Sequence, residues 1–110
     1  MKLPNGERAD LGAKLQDYVL NPQHRRGRHK ARVFASVLGI TQDNHETLAR
    51  ALLEAAAHSI DVAGGGDQGF GETFEIQFQL TTDRGTATIF SAWIVRHSED
   101  FPRLTTCFII

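Results

Sequence analysis

The residues best suited to chemistry lie close together. The stretch His24-Arg25-Arg26-Gly27-Arg28-His29-Lys30-Ala31-Arg32 holds five of the chain's twelve lysines and arginines and two of its five histidines. Arginine offers phosphate a planar fork of N–H donors, and lysine offers a compact charge. Histidine titrates near neutral pH and can take up or give a proton. Cleaving RNA without a metal needs such parts: a base for the 2′-hydroxyl proton, an acid for the leaving oxygen, and cations to steady the charge that builds on phosphorus. Lys30 and His29 fall in the first turn of a predicted helix, where free backbone N–H groups and the helix dipole favour an anion. Near the other end of the chain, the hydroxyls of Thr105 and Thr106 are suited to holding a phosphate oxygen. The plain alternative is a solvated basic loop that decorates a helix end.

The charge distribution makes the cluster stand out. No acidic residue lies between Asp17 and Asp43, so that segment is formally +5 and the rest of the chain −6, for a net charge of −1. A local basic patch on a near-neutral chain implies an anionic ligand met at one place, not a surface coated for nonspecific nucleic-acid binding.

Other chemistries find little support. There is no cysteine pair, no His-Glu-x-x-His and no clustered Asp-x-Asp, so no metal site is expected. A carboxylate-and-lysine metal nuclease needs a lysine just after strand-borne acids, whereas Lys2, Lys14 and Lys30 all precede the predicted strands. His45 and His58 stand at opposite ends of one helix and are read as ordinary surface residues. Cys107, the single cysteine, sits in an apolar strand and reads as core. Gly64-Gly65-Gly66 follows a helix and precedes a strand, the reverse of a phosphate loop, and is read as linker. No organic cofactor is expected.

Which elements must position the cluster? With 110 residues, 41% of them hydrophobic, the sequence is expected to form a single domain, residues 1–110. Leu11, Leu15, Tyr18 and Val19 recur at helical spacing and predict a first helix over 11–19, closed by Asn21-Pro22. A second helix runs from Gly27–His29 to Leu38, with Ala31, Phe34 and Leu38 as its stripe, Val33 and Val37 widening it, and Gly39 as its C-cap. Asp43 with Glu46 predicts a capping-box start for a third helix that fades near His58. Residues 61–71 read as a flexible glycine-rich loop. From Thr73 the period changes to two. Thr82-Asp83-Arg84-Gly85 makes a hairpin turn, and Thr86–Arg96, apolar on both faces, reads as a central strand buried on both sides. His97–Pro102 is polar and turns the chain, and Arg103–Ile110 completes the strand half. The fold class is therefore α+β, with N-terminal helices (about 11–58) packed on one face of a C-terminal antiparallel meander (about 73–110) of three to four strands. Phe34, Leu38, Leu48, Leu52, Phe78 and Trp93 are its expected core.

The longest run without a charged residue, Gly85–Val95, is too short for a membrane span. The N-terminus lacks the apolar core of a signal peptide, and a single cysteine suits a reducing compartment, so a cytoplasmic protein with no membrane partner is expected.

The pattern Lys14-Leu15-x-x-Tyr18-x-Leu20-Asn21-Pro22-x-His24-x-x-Gly27-x-His29-Lys30-Ala31-x-x-Phe34-x-x-x-Leu38-Gly39 resembles the opening of a bacterial family of uncharacterised domains. Ala92-Trp93-Ile94-x-Arg96, with Pro102-Arg103-Leu104-Thr105-Thr106, resembles its closing strands. The resemblance extends from about Leu3 to Phe108. Such domains occur as C-terminal tips of filamentous-haemagglutinin-like polymorphic toxins, on phage head-associated proteins and as small free-standing proteins. By its layout the family looks like the ribonuclease fold of barnase, EndoU, colicin nucleases and RelE-type toxins. The resemblance implies a ribonuclease toxin that acts on RNA and is neutralised by a small immunity or antitoxin protein. The motif positions it brings forward are His24, Lys30, Trp93, Arg103 and Thr105, with His29 also fitting.

The expected catalytic group is thus Lys30, His24, His29, Arg103 and Thr105, with Arg25, Arg26, Arg28, Arg32 and Trp93 holding the substrate. Two other readings stay open. The patch at 24–32 could serve a non-catalytic binding module. The last strand could instead form a protein–protein edge, including a homodimer.

Overall fold

A computed structural model describes residues 1–110. Two helices, α1 (Arg28–Leu38) and α2 (Glu46–His58), precede four strands: β1 (Ala63–Asp67), β2 (Gly71–Thr82), β3 (Gly85–Arg96) and β4 (Arg103–Ile109). The strands form one antiparallel meander in the order β1-β2-β3-β4, so the domain is α+β with its helices first. No helix is long and apolar enough to cross a membrane.

The core lies between the helices and one sheet face. Phe34 and Leu38 of α1 and Leu48 and Leu52 of α2 meet Phe74, Ile76, Ile89, Trp93, Leu104 and Cys107 from the strands. Fully burying a large apolar side chain contributes about 1.5–3 kcal/mol, against about 0–1 kcal/mol for an exposed ion pair, so this cluster dominates the stability. Phe78 packs at its margin, half-buried. The Trp93 indole donates to Ser91 Oγ at 3.0 Å, and Ser91 donates to the Ile76 carbonyl at 2.9 Å, which satisfies these two buried side chains.

The second predicted helix matches α1. It ends at Gly39 in the left-handed conformation, with Gly39 N–H donating to Ala35 O and Ile40 N–H to Phe34 O, both at 3.1 Å. Val33 and Val37, expected to widen its buried stripe, are exposed. Other elements differ more. The first predicted helix shrinks to a π-helical turn, Leu15–Val19. Asp10 Oδ1 accepts the Gly12 N–H at 2.8 Å and holds the preceding residues in a tight turn, so Leu11 lies outside the helical segment. The capping box before α2 uses Thr41 and Asn44 around a 3-10 turn, Gln42–Asn44, not Asp43 and Glu46.

The glycine-rich stretch is a strand and not a linker. Ala63, Gly64, Gly66 and Asp67 pair with β2, with a register shift between Gly64 and Gly66. A Cβ on Gly65 would lie 2.4 Å from Thr73 Oγ1, so only glycine lets β1 approach there. β3 is flanked by strands on both sides, but only one of its faces is covered by helices. On the other face Phe90, Ala92 and Ile94 are half-buried, and Phe90 stacks on Phe108 of β4 at 4.8 Å.

Candidate active site

A groove of about 840 Å³ opens where the segment 10–18 meets the ends of β3 and β4. Its walls include Lys14, Tyr18, His24, Arg96, His97 and Thr105.

One wall is built by α1 and the turn before it. His24 Nδ1 accepts the backbone N–H groups of both Arg26 and Gly27 at 3.0 Å, much as an N-cap side chain does. This bonding puts the ring proton on Nε2. Gly27 lets the turn press against the preceding segment, since a Cβ there would stand 2.0 Å from the Tyr18 carbonyl oxygen. The close approach brings Lys30, on the first turn of α1, to Tyr18: its ammonium donates to the phenolic oxygen at 3.0 Å. Lys14 Nζ lies 5.7 Å from the Tyr18 ring centroid, and the His24 ring meets it edge-on at 4.8 Å.

This setting perturbs Tyr18. The hydrogen bond from the Lys30 ammonium favours the phenolate and, with smaller help from the Thr106 hydroxyl and Lys14, holds the Tyr18 pKa below its usual 10.0 against the opposing effect of burial. The Thr106 hydroxyl is buried and has no hydrogen-bond partner of good geometry. A tyrosine so placed in a cleft is a candidate proton-transfer group.

The groove lining also includes His97, which is paired with Asp67. His97 Nε2 lies 2.5 Å from Asp67 Oδ2, joining the end of β3 to the end of β1. The Gly69 N–H, donating at 2.8 Å, and then His97 keep the Asp67 carboxyl below its usual range. A carboxylate on one ring nitrogen orients the imidazole.

Arg103 lies in the groove but is engaged by the protein itself. Its Nε and one terminal nitrogen donate to both oxygens of Glu99 at 2.8 and 2.7 Å, and the other donates to Asp10 Oδ2 at 3.2 Å. The guanidinium also lies 4.9 Å from the Phe101 ring centroid. Glu99 is held below the usual carboxylate range by this partner, and Arg103 is raised in turn. Asp10 and β4 are further stitched by Asp10 N–H to Pro102 O at 2.9 Å and Leu104 N–H to Asp10 O at 3.0 Å. Arg103 therefore fixes the groove wall, with its donors turned to carboxylates.

Of the residues expected to act together, His24, Arg103 and Thr105 line this groove, and Lys30 reaches it through Tyr18. Thr105 sits where the β3–β4 register shifts, exposed to the opening. His29, Arg25, Arg26, Arg28 and Arg32 are exposed on the α1 side, outside the groove. Trp93, expected at the substrate, is completely buried in the core and has no surface to offer a ligand. Cys107 is buried as well, its thiol pushed up to about 12 by desolvation, which suits a core residue and not a nucleophile.

Two groups escaped the sequence reading. Tyr18 counted as one more member of an apolar stripe, although Lys30 twelve residues on marks it as half-polar. His97 lay in a segment read only as a turn, and its partner Asp67 lay in the supposed linker. No group of three or more His, Cys, Asp or Glu side chains is gathered closely enough to hold a metal ion.

Fold and site thus define an α+β domain with a polar groove at the open end of a four-stranded meander. The chain belongs to the family described as a domain of unknown function, DUF6883, whose model matches residues 2–110. Comparison with curated proteins and with solved structures gives no match.

Proposed function

We propose that this domain is a metal-independent ribonuclease of the toxin type and that the groove is its active site. One observation carries the reading: a single groove is lined by Tyr18, hydrogen-bonded to the Lys30 ammonium, and by His97, paired with Asp67. These supply two distinct proton-transfer groups with cations beside them, the parts that RNA cleavage needs. The phenolate of Tyr18 takes the 2′-hydroxyl proton. The 2′-oxygen attacks phosphorus, the bond from phosphorus to the 5′-oxygen breaks, and His97 gives a ring proton to that oxygen. The products are a 2′,3′-cyclic phosphate and a 5′-hydroxyl. Lys14, Arg96, the Nε2–H of His24 and the Thr105 hydroxyl steady the phosphate oxygens.

The resemblance to toxin tips and ribonuclease-fold toxins supports the same reading, and with it a bacterial cytoplasmic site of action. The exposed Arg25, Arg26, Arg28 and Arg32 form no ion pair within the chain. They suit an acidic surface, that of a small immunity or antitoxin protein.

The test is cleavage of single-stranded RNA by the purified domain in EDTA, with analysis of the product ends. Tyr18→Phe and His97→Ala should each slow turnover by about 10² to 10⁴ while the melting temperature holds. Intact RNA with the wild-type domain, or unchanged rates in both variants, overturns the reading.

A further inference from the structure

Phe70 is the most exposed large apolar side chain of the molecule, at 80% of its free surface, and it stands on the rim of the groove. A lone exposed phenylalanine is unremarkable by itself. Its mounting is what sets this one apart. The Phe70 carbonyl accepts the His97 N–H at 3.2 Å, which ties its backbone to the end of β3. On its other side Asp67 holds the turn through the Gly69 N–H and His97. The backbone is anchored at both sides while the ring is left uncovered.

The neighbouring charges say what would cover it. The next residue, Gly71, pairs across the sheet with Arg96, and Arg96 and Phe70 both line the groove. Arg96 and Lys14 form no ion pair with any carboxylate, in contrast to Arg103. Along a single nucleic-acid strand a flat base and an anionic phosphate alternate, and an aromatic face beside an uncommitted cation matches that alternation.

We propose that Phe70 is a stacking platform for one nucleobase of single-stranded RNA, placed beside the phosphate that Arg96 and Lys14 hold. The proposal rests on the ribonuclease reading and adds to it the form of the substrate: unpaired RNA, with little preference for base identity. Bases inside a duplex present no free face to the ring, so paired RNA is excluded from this subsite.

The experiment uses a short single-stranded RNA carrying 2-aminopurine, whose fluorescence falls when the base stacks. Wild-type domain should quench it on binding, and the same strand annealed to its complement should bind far more weakly. Phe70→Ala should weaken binding about tenfold and remove the quench. Phe70→Trp should restore both, and Phe70→Leu should not. Because the side chain is exposed, all three variants should melt with the wild type. In cleavage assays Phe70→Ala should raise KM by about the same factor with kcat little changed. Cleavage by a Phe70→Ala variant with wild-type binding overturns the platform and leaves the ribonuclease standing. Stacking without any cleavage does the reverse. A wild-type domain that binds the probe without quenching it, or does not bind it, also overturns the platform.

Discussion

The domain presents two sets of cations that differ in how they are held. Arg25, Arg26, Arg28 and Arg32 are exposed and unpaired, and nothing in the chain fixes where their guanidiniums point. Lys30, in their midst, turns inward to Tyr18, and Arg103, far along the chain, is locked on two carboxylates. Charge density in the sequence marked the first set. Engagement with a neighbour marks the second, in which Lys30 is held on Tyr18 and Arg103 holds the groove wall, both without need of reorganising. On the reading proposed above, the run of arginines attracts a partner and the single lysine among them serves the chemistry.

Three variants probe that contrast. The largest effect belongs to Lys30→Met, which should lower RNA turnover by about 10² to 10³ and move the Tyr18 titration back toward 10.0, followed by phenolate absorbance. The sign is fixed by the depressed native pKa. The stability the pair contributes through this ionisation is full above pH 10.0 and is lost as pH falls through the native value. The wild-type rate should accordingly reach its plateau at lower pH than the variant's. An unmoved titration would place Lys30 with the solvated arginines.

Next comes Arg103→Met, which should lower the melting temperature, because Glu99 and Asp10 lose their shared partner. Glu99 is held below its ordinary 4.5, so the wild-type advantage should be full above that value and fade as pH falls through the native one. A wild-type advantage unaffected by acid would mean that packing on Phe101, and not charge, supports the wall.

The smallest effect on the folded domain should come from replacing Arg25, Arg26, Arg28 and Arg32 together with alanine. Each change should alter stability by no more than about 0.5 kcal/mol. The salt dependence of RNA affinity should flatten by roughly 0.7 in slope for each phosphate that these side chains no longer neutralise. A collapse of turnover at saturating RNA would erase the distinction between the two sets.

Much of the fold was legible because its signals are local. Ala31, Phe34 and Leu38 repeat on one helical face, Gly39 ends the helix, and the alternation from Phe74 to Leu80 reads directly as a half-buried strand. β1 was not legible, since Ala63-Gly64-Gly65-Gly66-Asp67 has no pattern of its own. Its place comes from the edge that Thr73 and Phe74 offer. β3 looked doubly buried because Phe90 and Phe108 shelter one another across strands, a pairing that a single strand's pattern cannot display. The site was readable where one segment carries it, at His24 and Lys30. It was hidden where distant residues meet: Asp10 with Arg103, and Asp67 with His97. Trp93 shows the converse, a residue whose resemblance to a motif reflects packing.

The clamp between Asp10 and Arg103 has a bearing on the order of synthesis. These two residues are 93 positions apart, and the bridge between them stitches an early segment onto the start of the last strand. Contacts of such separation carry the heaviest loop-closure entropy and gain nothing until the intervening chain is in place. On the ribosome, Tyr18 and Lys30 emerge long before β4, and the wall that turns them into a groove forms only when the strand carrying Arg103 has left the exit tunnel. Until that strand emerges, the groove of the nascent domain is incomplete.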